Sequence, residues 1–167
     1  SNQTYIAGIA CVTAATGKTT FQDCAFTGKI KATAAPTKAT AMYVGGLVAN
    51  CGSAEFTNCY SDGSIELSNT TFTTTVGGLV ANATGNSTYK DYIFTNCYNA
   101  TPITAGGKIA GLVGGTPTSA TAGVFKFTDC YNTGDISAKA TKAITSAPTA
   151  GIIVNYTPGS VFTRCHN

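Results

Sequence analysis

The sequence predicts an all-β protein, a right-handed parallel β-helix with about five coils of three strands each. Two observations support this prediction. A two-part signature recurs five times along the 167 residues, which is typical of solenoids. Each copy contains short β-prone segments separated by turn-forming residues, and no stretch has the sustained 3.6-residue apolar period of a helix.

The first part of the signature is a glycine followed by leucine or isoleucine. It occurs as Gly8-Ile9, Gly46-Leu47, Gly78-Leu79, Gly111-Leu112 and Gly151-Ile152. The glycines are 38, 32, 33 and 40 residues apart. Glycine is expected at such a position where two backbone segments approach closely or where a turn needs positive φ.

The second part is a phenylalanine three positions before a cysteine. It occupies residues 21–24, 56–60, 94–98, 127–131 and 162–166, and its cysteines are 35, 38, 33 and 35 residues apart. A weaker Gly-x-Ile element follows at 28–30, 63–65 and 134–136, with a degraded copy at 101–103. Three elements in a unit of this length fit one solenoid coil, stacked on the next at about 4.8 Å.

The whole chain, 1–167, is therefore predicted to be one solenoid domain. The repeat units are placed at 5–42, 43–75, 76–108, 109–148 and 149–167. Length variation falls between the elements, at 33–40, 84–91 and 138–148, where corner insertions would leave the strands stacked. A β-propeller blade is the alternative repeat of this length, but blades contain four antiparallel strands.

These motifs resemble the GLUG-type repeats of large bacterial surface and secreted proteins. The likeness rests on Gly-Leu-Val-[Ala/Gly] followed by Asn-Cys-Tyr-x-x-Gly-x-Ile, and it covers nearly the whole chain. Residues 111–114 match the name-giving motif strictly, whereas 46–49 and 78–81 lack its last glycine. The resemblance implies an extracellular or cell-surface location in bacteria and a role in adhesion to a glycan or a host or cell-surface protein.

Composition argues against several other partners. Charged residues make up 10% of the chain, and the net charge of +3 comes from dispersed lysines and one arginine, too little for a nucleic-acid footprint. No apolar run approaches the roughly 18 residues of a membrane span, so no membrane insertion is expected. No cofactor is expected, and a zinc site is not predicted because His166 is the only histidine and no Cys-x-x-Cys spacing exists.

Five of the seven cysteines share one repeat position and are predicted to form a structural column of small buried side chains. These are Cys24, Cys59, Cys97, Cys130 and Cys165. Their parallel side chains suit a disulfide poorly. Cys11 and Cys51 lie outside this column, each shortly after a Gly-Leu/Ile element in neighbouring coils. They are the predicted disulfide, if one exists.

The residues on either side of each column cysteine are also predicted to stack. The five residues that precede the cysteines are expected to lie at a corner, with their side chains stacked against backbone groups. They are Asp23, Asn58, Asn96, Asp129 and Arg164. The two aspartates could alternatively be a catalytic pair, but three coils separate them, beyond the separation used in glycoside hydrolysis. Tyr60, Tyr98, Tyr131 and His166 follow the cysteines and are predicted to form an outward aromatic ladder, either a binding platform or a purely structural stack.

The sequence thus predicts a non-catalytic binding or spacer module. A polysaccharide lyase or glycosidase is one rival interpretation, and a subunit that stacks end to end into a fibre is another. Bare solenoid ends expose core side chains and strand edges. We therefore expect neighbouring domains or subunits to cap the ends, and we expect the chain to be part of a larger protein.

Overall fold

The chain forms a parallel β-helix in the computed structural model, which describes residues 2–13, 17–33, 41–68, 73–84, 91–116, 123–139 and 148–167. Every strand in these ranges pairs in parallel with its equivalent in a neighbouring coil. Four full coils are followed by a partial fifth. The predicted fold class is confirmed.

Each full coil contains five short strands instead of the predicted three. The first coil has β1 (Gln3–Ala7), β2 (Ala10–Val12), β3 (Thr19–Gln22), β4 (Ala25–Phe26) and β5 (Lys29–Ala32). The second has β6 (Ala41–Gly45), β7 (Val48–Cys51), β8 (Ala54–Thr57), β9 (Tyr60–Ser61) and β10 (Ser64–Leu67).

The remaining coils repeat this order. The third has β11 (Thr73–Gly77), β12 (Val80–Ala83), β13 (Tyr92–Thr95), β14 (Tyr98–Asn99) and β15 (Ile103–Ala105). The fourth has β16 (Lys108–Ala110), β17 (Val113–Gly115), β18 (Phe125–Thr128), β19 (Tyr131–Asn132) and β20 (Ile136–Ala138). The fifth has β21 (Thr149–Ala150) and β22 (Val161–Thr163), with single bridges at Ile153 and His166.

Two bends divide the predicted elements and explain the larger number of strands. The Phe-to-Tyr element is interrupted between β8 and β9 by Asn58, whose φ is 53°. The equivalent residue of every other coil has φ between 50° and 54°. The Gly-Leu element is likewise interrupted at Gly46-Leu47, between β6 and β7.

Strands of like position stack into five parallel sheets that enclose the core. The orders are β1-β6-β11-β16-β21, β2-β7-β12-β17, β3-β8-β13-β18-β22, β4-β9-β14-β19 and β5-β10-β15-β20. Equivalent residues are in register, as in Phe21↔Phe56 and Ile65↔Ile103. The predicted corner insertions at 33–40, 84–91 and 138–148 lie largely outside the described residues.

The core consists of columns of identical or similar apolar side chains. Leu47, Leu79 and Leu112 are fully buried, one in each of three successive coils. Phe56 and Phe94 are fully buried too, with ring centroids 4.7 Å apart. Burial of such a side chain contributes roughly 1.5–3 kcal/mol, so each added coil extends one continuous core. The described ranges contain no helix long and apolar enough to cross a membrane.

Candidate functional site: the aromatic ladder and its flanking columns

The aromatic ladder forms on the outside of the solenoid from Tyr60, Tyr98, Tyr131 and His166. Ring centroids are 4.9, 4.9 and 5.0 Å apart along this series, and the ring planes deviate by 2–5°. The tyrosines begin β9, β14 and β19, which follow the left-handed bend. Alternation places them opposite the buried cysteines that precede them, so their rings face outward.

Stacking determines what the ladder can contact. Because successive rings are nearly parallel and about one coil apart, the faces of Tyr98 and Tyr131 lie against other rings. Their edges and hydroxyl groups point to solvent. A sugar ring packs on an aromatic face, so the middle of the ladder presents no such face. Partial burial, the neighbouring phenols and Asp62 raise the pKa of Tyr98.

The ladder ends at the first coil because Ala25 is paired with Tyr60 where the other coils have a ring. Ala25 is exposed, and the Tyr60 face toward it is not covered by a stacked ring among the described residues. Two exposed carboxylate residues, Asp23 and Asp62, lie two positions from Ala25 and Tyr60 along the chain. This end of the ladder therefore differs from its middle in having one aromatic face without a stacked ring among the described residues.

A polar column runs beside the ladder on the residues with positive φ. Asn58 donates from Nδ2 to Oδ1 of Asp23 over 2.9 Å, and Asn96 donates to Oδ1 of Asn58 over 2.9 Å. At the other end, Arg164 donates from Nε and Nη2 to the two carboxylate oxygens of Asp129, over 2.5 and 2.6 Å. The predicted corner stack is formed, but these hydrogen bonds join side chains to each other instead of joining side chains to backbone groups.

Both aspartates of the alternative catalytic pair accept hydrogen bonds from other side chains of this column. Asp23 accepts from Asn58, and Asp129 is paired with Arg164, which lowers the pKa of the Asp129 carboxyl. A lowered pKa favours the ionised carboxylate, the opposite of what a general acid needs. No cluster of three or more potential metal ligands occurs within the ranges the structure describes.

The five column cysteines stack as predicted, with backbone hydrogen bonds linking their coils. The predicted burial holds for Cys59, Cys97 and Cys130, which are fully buried, whereas Cys24 and Cys165 are only half-buried. The thiols of the second to fifth coils lie 3.2–3.4 Å from the carbonyl two residues earlier and 3.4–3.5 Å from a phenylalanine carbonyl of the preceding coil. Neighbouring thiols, followed by burial, raise the pKa of Cys97. The column is composed of free, hydrogen-bonded thiols.

The predicted disulfide between Cys11 and Cys51 is wrong. Both thiols are free, with Cys11 exposed and Cys51 buried. Val12 pairs with Asn50, which places Thr13 beside Cys51 and Cys11 two positions away. The Thr13 hydroxyl accordingly lies 3.8 Å from the Cys51 sulfur. The two cysteines follow their glycines at different distances, three residues for Cys11 and five for Cys51, so they cannot share a register position.

Sequence reasoning missed a second polar column, which lies inside the solenoid. Its members directly follow the aromatic ladder residues: Ser61, Asn99, Asn132 and Asn167. Asn99 donates to Asn132 over 2.7 Å, and Asn132 donates to Asn167 over 2.8 Å. Strand alternation was the signal that could have found it, because an inward cysteine and an outward ring require the next residue to point inward.

This inner column explains the glycines of the Gly-Leu element. A Cβ added at Gly78 or Gly111 would lie well under 3.0 Å from the side chain of Asn99 or Asn132, and from the backbone of the next coil. None of the glycines that begin the element has positive φ. Of the two reasons expected from the sequence, close approach is therefore the correct one.

Fold and columns together define a β-solenoid repeat protein whose outer face carries an aromatic ladder and a polar ladder side by side. No family model, curated protein or solved structure matches the chain. The geometry of the chain itself is therefore the basis on which a function can be assigned.

Proposed function

We propose that the chain is a non-catalytic repeat module of a bacterial surface or secreted protein, and that its solenoid serves as a stiff spacer. The observation that carries this proposal is the continuity of the columns. The Phe column extends without a break from Phe21 to Phe162, with centroid spacings of 4.7–5.2 Å. A rod built from identical layers keeps its direction over its length and extends by adding coils.

The outer face favours a structural role over a glycan platform along the ladder. Tyr98 and Tyr131 have their faces against other rings. The flanking amides of Asn58 and Asn96 are engaged with their neighbours in the polar column. Side chains that bond along the rod stabilise the rod and leave few groups directed at a ligand.

The hydrogen bonds and ion pairs of four acidic side chains support the non-catalytic character of the module. Asp23 and Asp129 make hydrogen bonds within the polar column, and Glu55 and Asp91 pair with Lys18 and Lys126. Acid–base hydrolysis of a glycosidic bond requires two carboxyl groups that face one substrate. The location rests on the resemblance to GLUG-type repeats.

One feature favours adhesion as a second candidate function. The uncovered Tyr60 face beside Ala25 is where a sugar ring could stack, and the exposed acids Asp23 and Asp62 lie two positions from Ala25 and Tyr60 along the chain. Apolar sugar faces pack on aromatic rings, and carboxylates fix their orientation. Adhesion of this kind would use one end of the ladder only.

An array of glycans and matrix proteins distinguishes the two candidates. A spacer is expected to bind none of them above the signal of an unrelated protein, and to release no reducing ends from polysaccharides. Reproducible glycan binding that Ala25→Tyr abolishes and Ala25→Ser retains would overturn the spacer in favour of adhesion, because tyrosine would cover the Tyr60 face. Release of reducing ends that purifies with the protein would overturn the non-catalytic assignment.

A further inference from the structure

The cysteine column inside the solenoid is a set of metal-ligating side chains that the spacer function does not use. Its inner members, Cys59, Cys97 and Cys130, belong to the second, third and fourth coils. All three are fully buried, and all three are free thiols. Thiols are soft ligands, and their number and spacing determine which ion they can hold.

The inner thiols make the same two contacts in every coil, which fixes the distance between their sulfur atoms. Each sulfur lies 3.2–3.3 Å from the carbonyl oxygen two residues earlier and 3.4–3.5 Å from a phenylalanine carbonyl of the preceding coil. Sulfur atoms in equivalent positions are therefore one coil apart, about 4.8 Å. The neighbouring Phe column has this spacing, with 4.7 Å from Phe56 to Phe94 and 4.8 Å from Phe94 to Phe127.

This separation is too wide for a disulfide but suits one ion between two sulfur atoms. An S–S bond is about 2.05 Å long, so its formation would have to draw two coils together. Two metal–sulfur bonds of about 2.3 Å in a straight line span about 4.6 Å, which is close to one coil. An ion between Cys59 and Cys97 would therefore leave the stacking of the coils unchanged.

The number of sulfur ligands selects the kind of ion. Within the ranges that the structure describes, no three potential ligands come together. In a straight column, the thiols on either side of Cys97 are two coils apart, roughly 9.6 Å, so one ion reaches only two of them. Zinc takes four ligands and is therefore unsuited. Copper(I) prefers soft sulfur ligands, and its filled d shell allows two of them in line.

The apolar surroundings favour a bound unit without net charge, because burial of an isolated charge is very unfavourable. Metal binding to a thiol releases its proton. Two thiols and one copper(I) ion give a thiolate–copper–thiol unit and one proton, which leaves to solvent. The second thiol keeps its proton and binds through a sulfur lone pair. The product is neutral, and no electron is transferred, so the step needs no oxidant or reductant.

We propose that neighbouring thiols of this column, Cys59 with Cys97 or Cys97 with Cys130, bind copper(I) as a two-coordinate ion in the solenoid core. Because Cys97 belongs to both pairs, the three inner thiols hold one ion at a time. This inference goes beyond the spacer function and is independent of it, since it depends on the interior of the solenoid and not on its outer face.

Copper(I) binding by the 167-residue chain tests the proposal. Every protein in the test carries Cys11→Ser, which removes the exposed thiol. Cys51 is retained, because its register partner in the next coil is Ala83, which offers no second sulfur. Copper(I) is added without oxygen and with ascorbate, in urea below the unfolding transition, so that the core opens transiently and admits the ion.

The Cys11→Ser protein is expected to retain at least one copper per chain after treatment with a copper(I) chelator. X-ray absorption is expected to show two sulfur neighbours of the copper at roughly 2.3 Å. A protein that retains no copper, or that unfolds when copper(I) is added, overturns the proposal. Three sulfur neighbours, or nitrogen neighbours, would overturn the two-coordinate site.

Two double variants make the test specific to neighbouring thiols. Cys59→Ala with Cys130→Ala leaves column thiols that are all two coils apart. Its copper(I) affinity is expected to fall at least about a hundredfold, because loss of a ligand costs more than loss of a group that orients one. Cys24→Ala with Cys165→Ala also removes two column thiols but leaves the inner three adjacent. This variant is expected to bind copper(I) as the Cys11→Ser protein does.

Circular dichroism of each variant serves as the folding control, and serine replaces alanine at the same positions in any variant that does not fold. Equal copper(I) affinity of the two double variants would overturn the requirement for neighbouring thiols. Loss of binding in both, with both folded, would overturn the assignment to the inner three. Neither result would affect the spacer function, which the glycan array tests separately.

Discussion

Asn99 donates a 2.7 Å hydrogen bond from its side-chain amide to Oδ1 of Asn132 in the next coil, in the interior of the solenoid. The same amide donates to the Thr101 carbonyl over 3.0 Å, and Oδ1 of Asn99 accepts from the Thr101 N–H over 3.3 Å. Asn99 is fully buried. A buried amide is tolerated only when its donors and acceptors are satisfied, so this column is a specific requirement of the interior.

Replacing Asn99 tests that requirement. Asn99→Ala leaves the Asn132 oxygen and the Thr101 backbone without their partner in a dry interior, and is expected to lower the free energy of unfolding by about 3 kcal/mol. Urea denaturation measures the change. Asn82→Ala is the matched control, because Asn82 donates to Asn50 in a partly buried ladder that water can replace, and it is expected to cost about 1 kcal/mol or less.

The contact between Gly78 and this column gives a second prediction. Gly78→Ala would place a methyl group in conflict with the Gly111 carbonyl and the Asn99 side chain, and is expected to destabilise the protein by about 3 kcal/mol, as overpacking does. Gly28→Ala is the comparison, because the nearest neighbour of its added Cβ would be the Phe26 ring, at 3.1 Å, and no backbone atom would be as close. Thermal unfolding of both variants should give the larger loss for Gly78→Ala, and an equal loss would contradict the proposed packing.

How far the sequence predicts this structure depends on whether a feature needs only register or also local backbone geometry. The recurrence of the same motif in each unit suffices to stack Phe56 on Phe94 and Tyr60 on Tyr98. It does not predict the left-handed conformation at Asn58, which divides one element into two strands. Nor did it predict the inward amide of Asn99, because polarity alone suggests an outward side chain.

The error at Cys11 and Cys51 has the same origin. Both cysteines follow a glycine of the repeat, but the disulfide depends on a shared register position and not on a shared neighbourhood. Val12 pairs with Asn50, so Thr13 takes the place beside Cys51. Counting residues from Gly8 and Gly46 would have revealed the mismatch.

Left-handed backbone in the polar column leads to a third prediction. Asn96 has φ of 52° and donates to Asn58. Asn96→Gly loses the hydrogen bond but adopts this φ freely, whereas Asn96→Ala loses the bond and also incurs about 1 kcal/mol of backbone strain. The glycine variant is therefore expected to be the more stable of the two in urea denaturation. The reverse order would show that the conformation at residue 96 carries no strain.

The Asp129–Arg164 pair leads to a prediction of pH dependence. Hydrogen bonds from Arg164 lower the pKa of Asp129 below its ordinary 3.8 in the folded protein. A lowered folded pKa stabilises the fold above the ordinary value, and this stabilisation is lost as pH falls through the lower, folded value. The wild type should therefore have a higher melting temperature than Asp129→Asn near neutral pH, and this difference in melting temperature should vanish in acid.

The control for this prediction is Asp135→Asn, a change at an exposed acid that makes no ion pair with any described residue. Its melting temperature is expected to follow that of the wild type across the same pH range. Added salt should narrow the difference between wild type and Asp129→Asn, because the pair is exposed and screened. A difference that persists unchanged in acid would contradict the role assigned to the pair.

Thiol labelling with a disulfide reagent at about pH 8 gives the last prediction. Cys11 is exposed and is expected to react at once. Burial raises the pKa of Cys51 to about 12, and only the thiolate reacts, so Cys51 should stay unlabelled while the protein is folded. Cys11→Ser should remove the fast phase. In urea without reductant, all seven thiols of the wild type should react. Five reactive thiols in the wild type and six in Cys11→Ser would instead mean that Cys11 and Cys51 are joined.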